Sequence, residues 1–576
     1  MTRLDLRGVT ELQRGYAVQL DEIAEELRLP YVELVQAISA PYGADVDWWV
    51  TPFASRNTYV CHLFERLCKV TLARRIAAEG GVLEVIVDTP ELARLLQKVL
   101  PASVSVRCTI SPLGKSLRVA AAVMRRLAIA LYMYAGRTVF SRLLPPVRRD
   151  LPLEPVVILD TFVYPESIRA GIFTDRHYPG LLDELTESER RIIYRAPTYY
   201  GVRNYFQLYH RLRACKDNFL LPDDYLHLAD YVFAISHIWR ASRQLPKCTF
   251  SGMEVTGLVN EAYTENLANP GSAEGLLRYC FAQRLRDAGI RVHRVVEWFE
   301  NQELDHGAVA GWRKFYPNVE VMGYQGFLAS RTYLCMFPVA LEQQLNLLPH
   351  TLAVIGGALV GPAKEFCPDL RVIVAPAFRF QALMLDRRDE PSPGWFTVLI
   401  SLPVMKDESA AVMAMLVRAA KILDGVTSRP CRFHIKLHPA SQKKAILDEV
   451  LRLSPVFRVI DGDFDRALDD ADALVSAASS TCVQAIARGV PVAIVGRPGL
   501  LTQNPIPKTV DSRLWQVCYS AGDLSSALRS YADLEPEDMT ELRKLGSDCR
   551  SELFEPLTSG ASRAFVGLEQ AQYLPE

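Results

Sequence analysis

Two histidines and a lysine alternate along the stretch FHIKLHP, residues 433–439. Successive side chains of a strand point to opposite faces, so His434, Lys436 and His438 share one face and three apolar residues the other. The two histidine rings then start about 13 Å apart, too far for one metal ion to bind both. Two interpretations of His438, at the end of the strand, stay open: a hydrogen-bond donor to a phosphate oxygen, or a solvent-facing loop residue.

A second polar group occurs in VSAASSTCVQAIARGVP, residues 475–491, where Ser479, Ser480 and Thr481 separate a predicted strand from a predicted helix. Thr481 and Gln484 have the spacing of a capping box, which is the structural interpretation. A helix N-terminus with hydroxyl and free N–H groups also binds anions. Because this turn and the histidine turn open onto the same edge of one parallel sheet, together they favour a nucleotide phosphate site.

The last third of the chain alternates apolar strands with helical segments, which is typical of βαβ units in a doubly wound parallel sheet. The predicted strands are 395–404, 431–439, 457–462, 473–478 and 491–496, and the predicted helices are 409–423, 441–453, 464–471 and 479–489. Ligands bind at the carboxyl ends of the strands in such sheets, which is where both polar turns lie.

The middle of the chain also alternates, and it predicts a second α/β domain. Its predicted strands are 156–162, 231–236, 292–299, 319–325, 351–357 and 371–378. The polar, proline-rich segment 385–394 indicates the hinge, which divides the chain into domains 1–385 and 386–576. Within residues 1–110, the run LEVIVD followed by a helical segment indicates a further small α/β element.

The formal net charge of −1 conceals a basic segment. From Leu92 to Arg149 there is no Asp or Glu, whereas eleven Lys and Arg residues occur. A helix over about 115–144 would place five of these cations within one third of its circumference, next to an apolar stripe: Lys115, Arg118, Arg125, Arg126 and Arg137. This pattern favours a helix in a membrane interface over a core helix with one solvated face. No aromatic and basic interleaving accompanies it, so no nucleic-acid partner is predicted.

The cysteine pattern indicates a reducing compartment. Twelve cysteines include no C-x-x-C pair, which argues against a disulfide scaffold or zinc ribbon. The N-terminal segment has no apolar core typical of a secretory signal. No uncharged apolar run of 18 residues occurs, so no membrane span is expected. The predicted location is therefore cytoplasmic, with the protein held peripherally on the inner membrane face by the basic helix.

The two polar turns resemble a known pair of motifs. The strand–KLHP–helix and strand–SST–helix units are similar to the HP and serine motifs of bacterial sialyl-, polysialyl- and Kdo-type transferases. Those enzymes have the two-domain GT-B fold and use CMP-activated sugars. Residues 175–201 and 295–325 also resemble a family of bacterial surface-carbohydrate biosynthesis proteins, and the resemblance covers roughly residues 150 to 510. Gly326 is a departure, because relatives are expected to carry a histidine there.

The resemblance implies phosphate-binding roles for both turns. His438, together with Lys436, would hold the donor phosphate. Ser479, Ser480 and Thr481 would receive the phosphate at the N-terminus of the helix that follows.

The resemblance also implies a catalytic carboxylate at the strand ends of the other domain. Glu300, with Asn301 next to it, is the first candidate and Glu254 the second. Such a carboxylate acts as a general base towards an acceptor hydroxyl or as a nucleophile, and a structural salt bridge is an equal alternative for Glu300. Arg176 and Arg379 are candidates to bind an acidic sugar or phosphate, although isolated arginines are more often structural.

The resulting prediction is an α/β protein of GT-B fold, with two Rossmann-like domains facing a central cleft and an inserted basic amphipathic helix. The resemblance implies a metal-independent, cofactor-free glycosyltransferase. It would move Kdo or another acidic sugar from a CMP-linked donor to a lipid-linked or growing bacterial surface polysaccharide, as in lipopolysaccharide or capsule. Two alternatives stay open: a transferase of polyol phosphate from a CDP-activated donor, and a catalytically inactive scaffold of glycan assembly.

Overall fold

Two six-stranded parallel sheets form the frame of the protein. The computed structural model describes residues 3–8, 11–81, 84–144, 154–385, 394–403, 406–438, 456–477, 479–497 and 499–568. The predicted helix 441–453 lies outside these residues.

The chain begins with a small three-stranded parallel sheet in the order β1-β2-β3. Its strands are β1 (Arg3–Asp5), β2 (Glu84–Val87) and β3 (Ser105–Cys108). Its helices are α1 (Arg14–Ser39), α2 (Val46–Trp49), α3 (Leu63–Ala78) and α4 (Pro90–Val99), and the long helix α5 (Pro112–Leu143) follows them. The predicted small α/β element is therefore confirmed.

The middle domain contains a parallel sheet in the order β13-β12-β11-β10-β4-β7 and two short hairpins, β5-β6 and β8-β9. Its strands are β4 (Val156–Val163), β5 (Ile168–Arg169), β6 (Ile172–Phe173), β7 (Ile193–Tyr199), β8 (Thr249–Phe250), β9 (Met253–Glu254), β10 (Val292–Trp298), β11 (Glu320–Gln325), β12 (Thr351–Val354) and β13 (Val372–Val374). Its helices are α6 (Glu187–Arg191), α7 (Tyr205–Ala214), α8 (Pro222–Tyr225), α9 (Leu228–Ile235), α10 (His237–Arg240), α11 (Thr256–Glu265), α12 (Pro270–Asp287), α13 (Glu303–Phe315), α14 (Ala340–Gln344) and α15 (Val360–Ala363).

The third sheet is parallel throughout, in the order β16-β15-β14-β17-β18-β19. Its strands are β14 (Phe396–Ser401), β15 (Cys431–Lys436), β16 (Phe457–Val459), β17 (Ala473–Ser476), β18 (Val492–Val495) and β19 (Trp515–Cys518). The helices of this part are α16 (Lys406–Leu423), α17 (Phe464–Asp469), α18 (Thr481–Ala487), α19 (Ala521–Ala532), α20 (Pro536–Leu553) and α21 (Ser559–Phe565). The five predicted strands of this domain are confirmed by β14 to β18. Each is a short β-branched run bounded by turns, which is why the sequence predicted it.

The last two helices return to the middle domain. The Glu555 backbone N–H donates to the Ile355 carbonyl over 2.7 Å, and the Glu555 carbonyl accepts from the Ala377 N–H over 2.9 Å. The Phe565 ring packs 5.1 Å from the ring of Tyr324 on β11. The two Rossmann-like domains thus face each other across a cleft, and the predicted α/β architecture of GT-B type is confirmed. The predicted domain boundary adjoins residues 386–393, which lie outside the described residues.

Two predictions of secondary structure in the middle domain need correction. Residues 231–236 were predicted as a strand, but 231–235 belong to helix α9 and Ser236 is its C-cap. The first turn of α9 is capped by the Asp230 carboxylate, which accepts from the His227 N–H over 2.8 Å. Strand β7 was not predicted, because it contains Pro197. A proline is tolerated there since β7 lies at the edge of the sheet.

Helix α5 confirms the predicted long helix, but the five cations of its predicted basic stripe do not share one environment. Lys115 pairs with Glu265 over 2.5 Å, Arg126 donates to the Glu265 carbonyl over 3.3 Å, and Arg137 is buried. Only Arg118 and Arg125 of the five predicted cations remain exposed. Three cations therefore hold the helix to the protein.

Helix α5 is also long and apolar enough to cross a membrane, judged by length and composition alone. Length and composition do not test the expectation that the chain has no membrane span, which stays a prediction. The expectation was drawn from uncharged runs only, and the apolar part of α5 is interrupted by arginines.

Candidate active site

A cavity of about 1070 Å³ lies in the cleft between the two Rossmann-like domains. Carboxyl ends of parallel strands supply most of its polar lining, as expected for an open α/β sheet. The lining residues at or just beyond these strand ends are Phe162 and Tyr164 (β4), Thr198 and Tyr199 (β7), Trp298 and Glu300 (β10), Phe327 (β11), Arg379 (β13) and His438 (β15). The cavity therefore brings together four predicted site residues: Arg176, Glu300, Arg379 and His438.

Glu300 is held in the cavity by neutral donors. Its carboxylate accepts hydrogen bonds from Trp298 Nε1 over 2.9 Å, from Gln302 Nε2 over 2.6 Å and from the Tyr333 hydroxyl over 3.2 Å. Burial raises the pKa of the carboxyl, and these three donors and the nearby Arg379 only partly offset that effect. Glu300 is thus an oriented carboxylate with increased basicity.

The turn that carries Glu300 is closed by Asp305. Its Oδ2 accepts from the backbone N–H of both Glu300 and Gln302 over 3.0 Å, which caps the first turn of α13. Asp305 also lines the cavity, and burial raises the pKa of its carboxyl well above the usual value.

Asn301 does not belong to the cavity lining, although it was predicted with Glu300. Its side chain is fully buried, and Nδ2 donates to Glu342 Oε2 over 3.1 Å. Its backbone has φ +56°, a conformation that Asn tolerates better than most residues. Asn301 therefore anchors the turn. Its side chain bonds to Glu342, whereas the neighbouring Glu300 lines the cavity.

Glu342 receives the Asn301 side chain within a charged cluster. Arg56 Nη2 lies 2.8 Å from Oε1 of Glu342, His306 Nε2 lies 3.1 Å from the same oxygen, and the Val339 N–H donates to Oε2 over 2.9 Å. These charges and donors lower the pKa of Glu342 to about 2, although burial alone would raise it.

Two arginines lie in the cavity with Glu300. The Arg379 guanidinium lies 5.7 Å from the Trp298 ring centre and, within the described part of the chain, forms no ion pair. Arg176 pairs with Glu166 over 2.9 Å and lies 4.9 Å from the ring centre of Tyr164. Arg379 is therefore the cation better placed to bind an anionic ligand.

His438 lines the cavity from the opposite domain, just beyond β15. Desolvation in the cleft lowers the pKa of its imidazole, and the positive charges of Arg176 and Arg379 lower it further. A neutral imidazole at pH 7 can donate one hydrogen bond to a phosphate oxygen.

The other predicted residues of this domain lie outside the cavity lining. Lys436 Nζ donates to the Gly462 carbonyl. Thr481 Oγ1 donates to Ser401 Oγ over 3.2 Å, and the Thr481 N–H donates to Ser479 Oγ over 3.3 Å. The N-cap residue of α18 is Ser480 and not Thr481, and its side chain makes no capping hydrogen bond. The capping box predicted for Thr481 and Gln484 is therefore not formed.

Glu254, the second predicted carboxylate, is also remote from the cavity. It ends the hairpin strand β9, its side chain is 57% exposed, and it lies 3.7 Å from Lys98 Nζ. Glu254 has the surroundings of a surface ion pair.

Sequence reasoning missed His177 and Tyr333. The His177 ring is buried 4.4 Å from Trp298, and burial lowers its pKa to about 4, so it is neutral near pH 7. The sequence clue to His177 was its position next to Arg176, within residues 175–201, which resemble the surface-carbohydrate family. Tyr333, which donates to Glu300, occurs in an irregular segment with no motif, so its part in the site was not predictable.

The departure at Gly326 has a steric explanation. A Cβ at this position would lie 2.3 Å from the ring of Trp298. Trp298 donates to Glu300, so any side chain at 326, including the histidine expected in relatives, would displace the residue that orients the carboxylate.

Within the described residues, no group of three or more His, Cys, Asp or Glu is arranged to hold a metal ion. Independence from metals and cofactors stays a prediction.

No family model matches this chain, and no curated protein sequence matches it. Solved structures do match. Staphylococcus aureus MnaA in a UDP co-structure is 12% identical with a TM-score of 0.42, covering 72% of this chain and 98% of that one. Acinetobacter baumannii MurG is 11% identical with a TM-score of 0.38 and coverages of 72% and 99%. Trehalose 6-phosphate synthase from Burkholderia multivorans is 10% identical with a TM-score of 0.41 and coverages of 72% and 98%.

Proposed function

We propose that this chain is a glycosyltransferase that transfers a sugar from a nucleotide donor bound in the cavity between its two Rossmann-like domains. The observation that carries the proposal is one cavity that contains both Glu300, a carboxylate of raised pKa held by neutral donors, and Arg379, a cation without an ion pair. A base and an anion-binding group facing one space are what transfer from a phosphate-activated donor to a hydroxyl requires.

The residues divide the reaction between the two domains. Glu300 takes the proton of the acceptor hydroxyl as its oxygen attacks the anomeric carbon. The bond from that carbon to the donor phosphate breaks, and its electron pair leaves on the phosphate oxygen. Arg379 and His438 stabilise the charge that develops on this oxygen.

We propose CMP-linked Kdo, or another CMP-linked acidic sugar, as the donor. Support comes from the resemblance of the HP and serine turns and from the two arginines, which match the carboxylate of such a sugar and the phosphate. The HP turn contributes His438 to the cavity. Ser479, Ser480 and Thr481 lie outside the cavity lining.

We propose a lipid-linked or growing surface polysaccharide as the acceptor, and the inner face of the cytoplasmic membrane as the location. The outward face of α5 is apolar: Leu113, Leu117, Met124 and Leu131 are 71%, 63%, 67% and 56% exposed. Exposed Arg118 and Arg125 accompany it and suit an anionic lipid surface.

The test is product analysis with two donors and two variants. We expect wild-type protein to release CMP from CMP-Kdo, whereas Glu300→Gln and His438→Ala retain the fold and lose turnover. Release of CMP from CDP-glycerol alone would replace the proposal by polyol-phosphate transfer. Absence of CMP binding in calorimetry would leave a scaffold of glycan assembly as the function.

A further inference from the structure

We infer that α5 is a wall of the catalytic cavity and binds the hydrocarbon chain of the acceptor next to its first sugar. The inference rests on the proposed function and specifies the acceptor as an amphiphile. It assigns a binding role to the inward face of α5, which is distinct from any membrane contact of the outward face.

The two faces of α5 meet different surroundings. Ile129, Ala130 and Met133 line the cavity, and Tyr134 is buried beside them. The apolar face with Leu117 is exposed on the other side of the helix. One helix therefore borders both the outer surface and the cavity that holds Glu300.

Ion pairs fix α5 in this position. Arg137 is 1% exposed and pairs with Asp223 over 2.8 Å and with Glu274 over 2.7 Å. Glu274 also lines the cavity, so Arg137 neutralises the carboxylate at this end. At Gly136 the helix approaches so closely that a Cβ would lie 2.8 Å from the Tyr205 ring. Ion pairs and close packing thus hold the wall to the protein, and the wall presents apolar groups to the cavity.

The cavity lining combines charged or polar groups with apolar ones. Glu300, Arg379 and His438 are charged or polar, whereas Ile129 and Met133 are apolar. Tyr164 and Tyr200 also line the cavity, with ring centres 5.6 Å apart, and aromatic rings of this kind pack against sugar faces.

An acceptor made of a sugar joined to a hydrocarbon chain matches this combination of surfaces. The sugar lies against the tyrosines with its hydroxyl towards Glu300, and the chain lies along Ile129 and Met133. A free polysaccharide end would leave this apolar wall in contact with water, which is unfavourable for apolar groups.

The test uses n-dodecyl β-maltoside, below its critical micelle concentration, and maltose as probes of the full chain in calorimetry. We expect the dodecyl compound to bind at least tenfold more tightly than maltose. The double variant Ile129→Ser with Met133→Ser should lose that preference, and its thermal melting should show that it is folded. The matched control, Leu117→Ser with Leu131→Ser on the outward face, should retain the preference.

Equal binding of the two probes by wild-type protein would overturn the inference. So would a preference that survives in the inward variant or disappears in the outward one, because the chain would then bind elsewhere. These measurements need no donor. If wild-type protein turns over no nucleotide sugar but binds the dodecyl compound more tightly than maltose, the proposed function is wrong. The inference that α5 binds an alkyl chain would still hold.

Discussion

Glu300 and Glu342 are two shielded carboxylates on either side of Asn301, and their surroundings are opposite. Among the residues that the structure describes, only neutral groups donate hydrogen bonds to the Glu300 carboxylate, and burial raises its pKa. Glu342 contacts Arg56 and His306, and its pKa falls to about 2. The comparison shows that charge compensation separates a structural carboxylate from one that is kept basic in a cavity.

The two carboxylates also depend on each other through the backbone. Asn301 and Arg56 have φ values of +56° and +57°, and both side chains bond to Glu342. Residues in this region cost about 1–3 kcal/mol each and persist when their surroundings enforce the conformation. The Glu342 cluster thus stabilises the turn that directs Glu300 into the cavity.

The largest expected effect is on catalysis at Glu300. Glu300→Gln should lower kcat by about 10²–10⁴-fold, the contribution of a general base. It should not lower stability, because it removes a carboxyl that burial makes costly to ionise. Transfer kinetics and thermal melting measure the two effects. Glu254→Gln is the matched control and should be active; full activity in Glu300→Gln instead would exclude Glu300 as the base.

The next effect is on stability at Glu342. Glu342→Ala leaves the Arg56 guanidinium buried without a counter-charge, so the free energy of unfolding should fall by about 3–5 kcal/mol. Denaturant-induced unfolding measures this loss. A variant as stable as wild type would contradict the structural role of the cluster and remove the contrast with Glu300.

The smallest effects are those of pH, and they have opposite signs. Glu342 has a native pKa of about 2 against an ordinary 4.5, so it stabilises the protein above pH 4.5 and loses this contribution as pH falls towards 2. Glu300 has a raised pKa, so stability from its protonated form is lost as pH rises through that pKa. Its activity as a base should fall about tenfold per pH unit below the same pKa.

A pH–rate profile of kcat/KM, measured beside the pH dependence of unfolding, separates the two groups. The acid limb of the rate should lie above the pH at which an ordinary glutamate titrates. An acid limb at the ordinary value would mean that the cavity does not raise the basicity of Glu300.

The sequence predicted some of the residues that line the cavity, and it failed for others. Glu300 and His438 were chosen because they follow predicted strands, and Arg176 and Arg379 were chosen as cations for an acidic sugar or phosphate. All four line one cavity. Asn301, Glu254, Lys436 and the serine turn were chosen on similar grounds and do not line it. Proximity along the chain does not determine where a side chain points, and a positive φ at Asn301 is not visible in a residue pattern.

Sequence alone determined the alternation of strands and helices in the last third, the long helix over 115–144 and the edge of the sheets where polar residues collect. These depend on local periodicity, which is a property of neighbouring residues. Only the tertiary structure decided which face of α5 is buried, because the groups that hold Lys115 and Arg137 come from Glu265, Asp223 and Glu274, more than 80 residues further along the chain. It likewise decided that neutral donors hold Glu300 whereas Arg56 pairs with Glu342, since the charge around a carboxylate depends on residues brought together by folding.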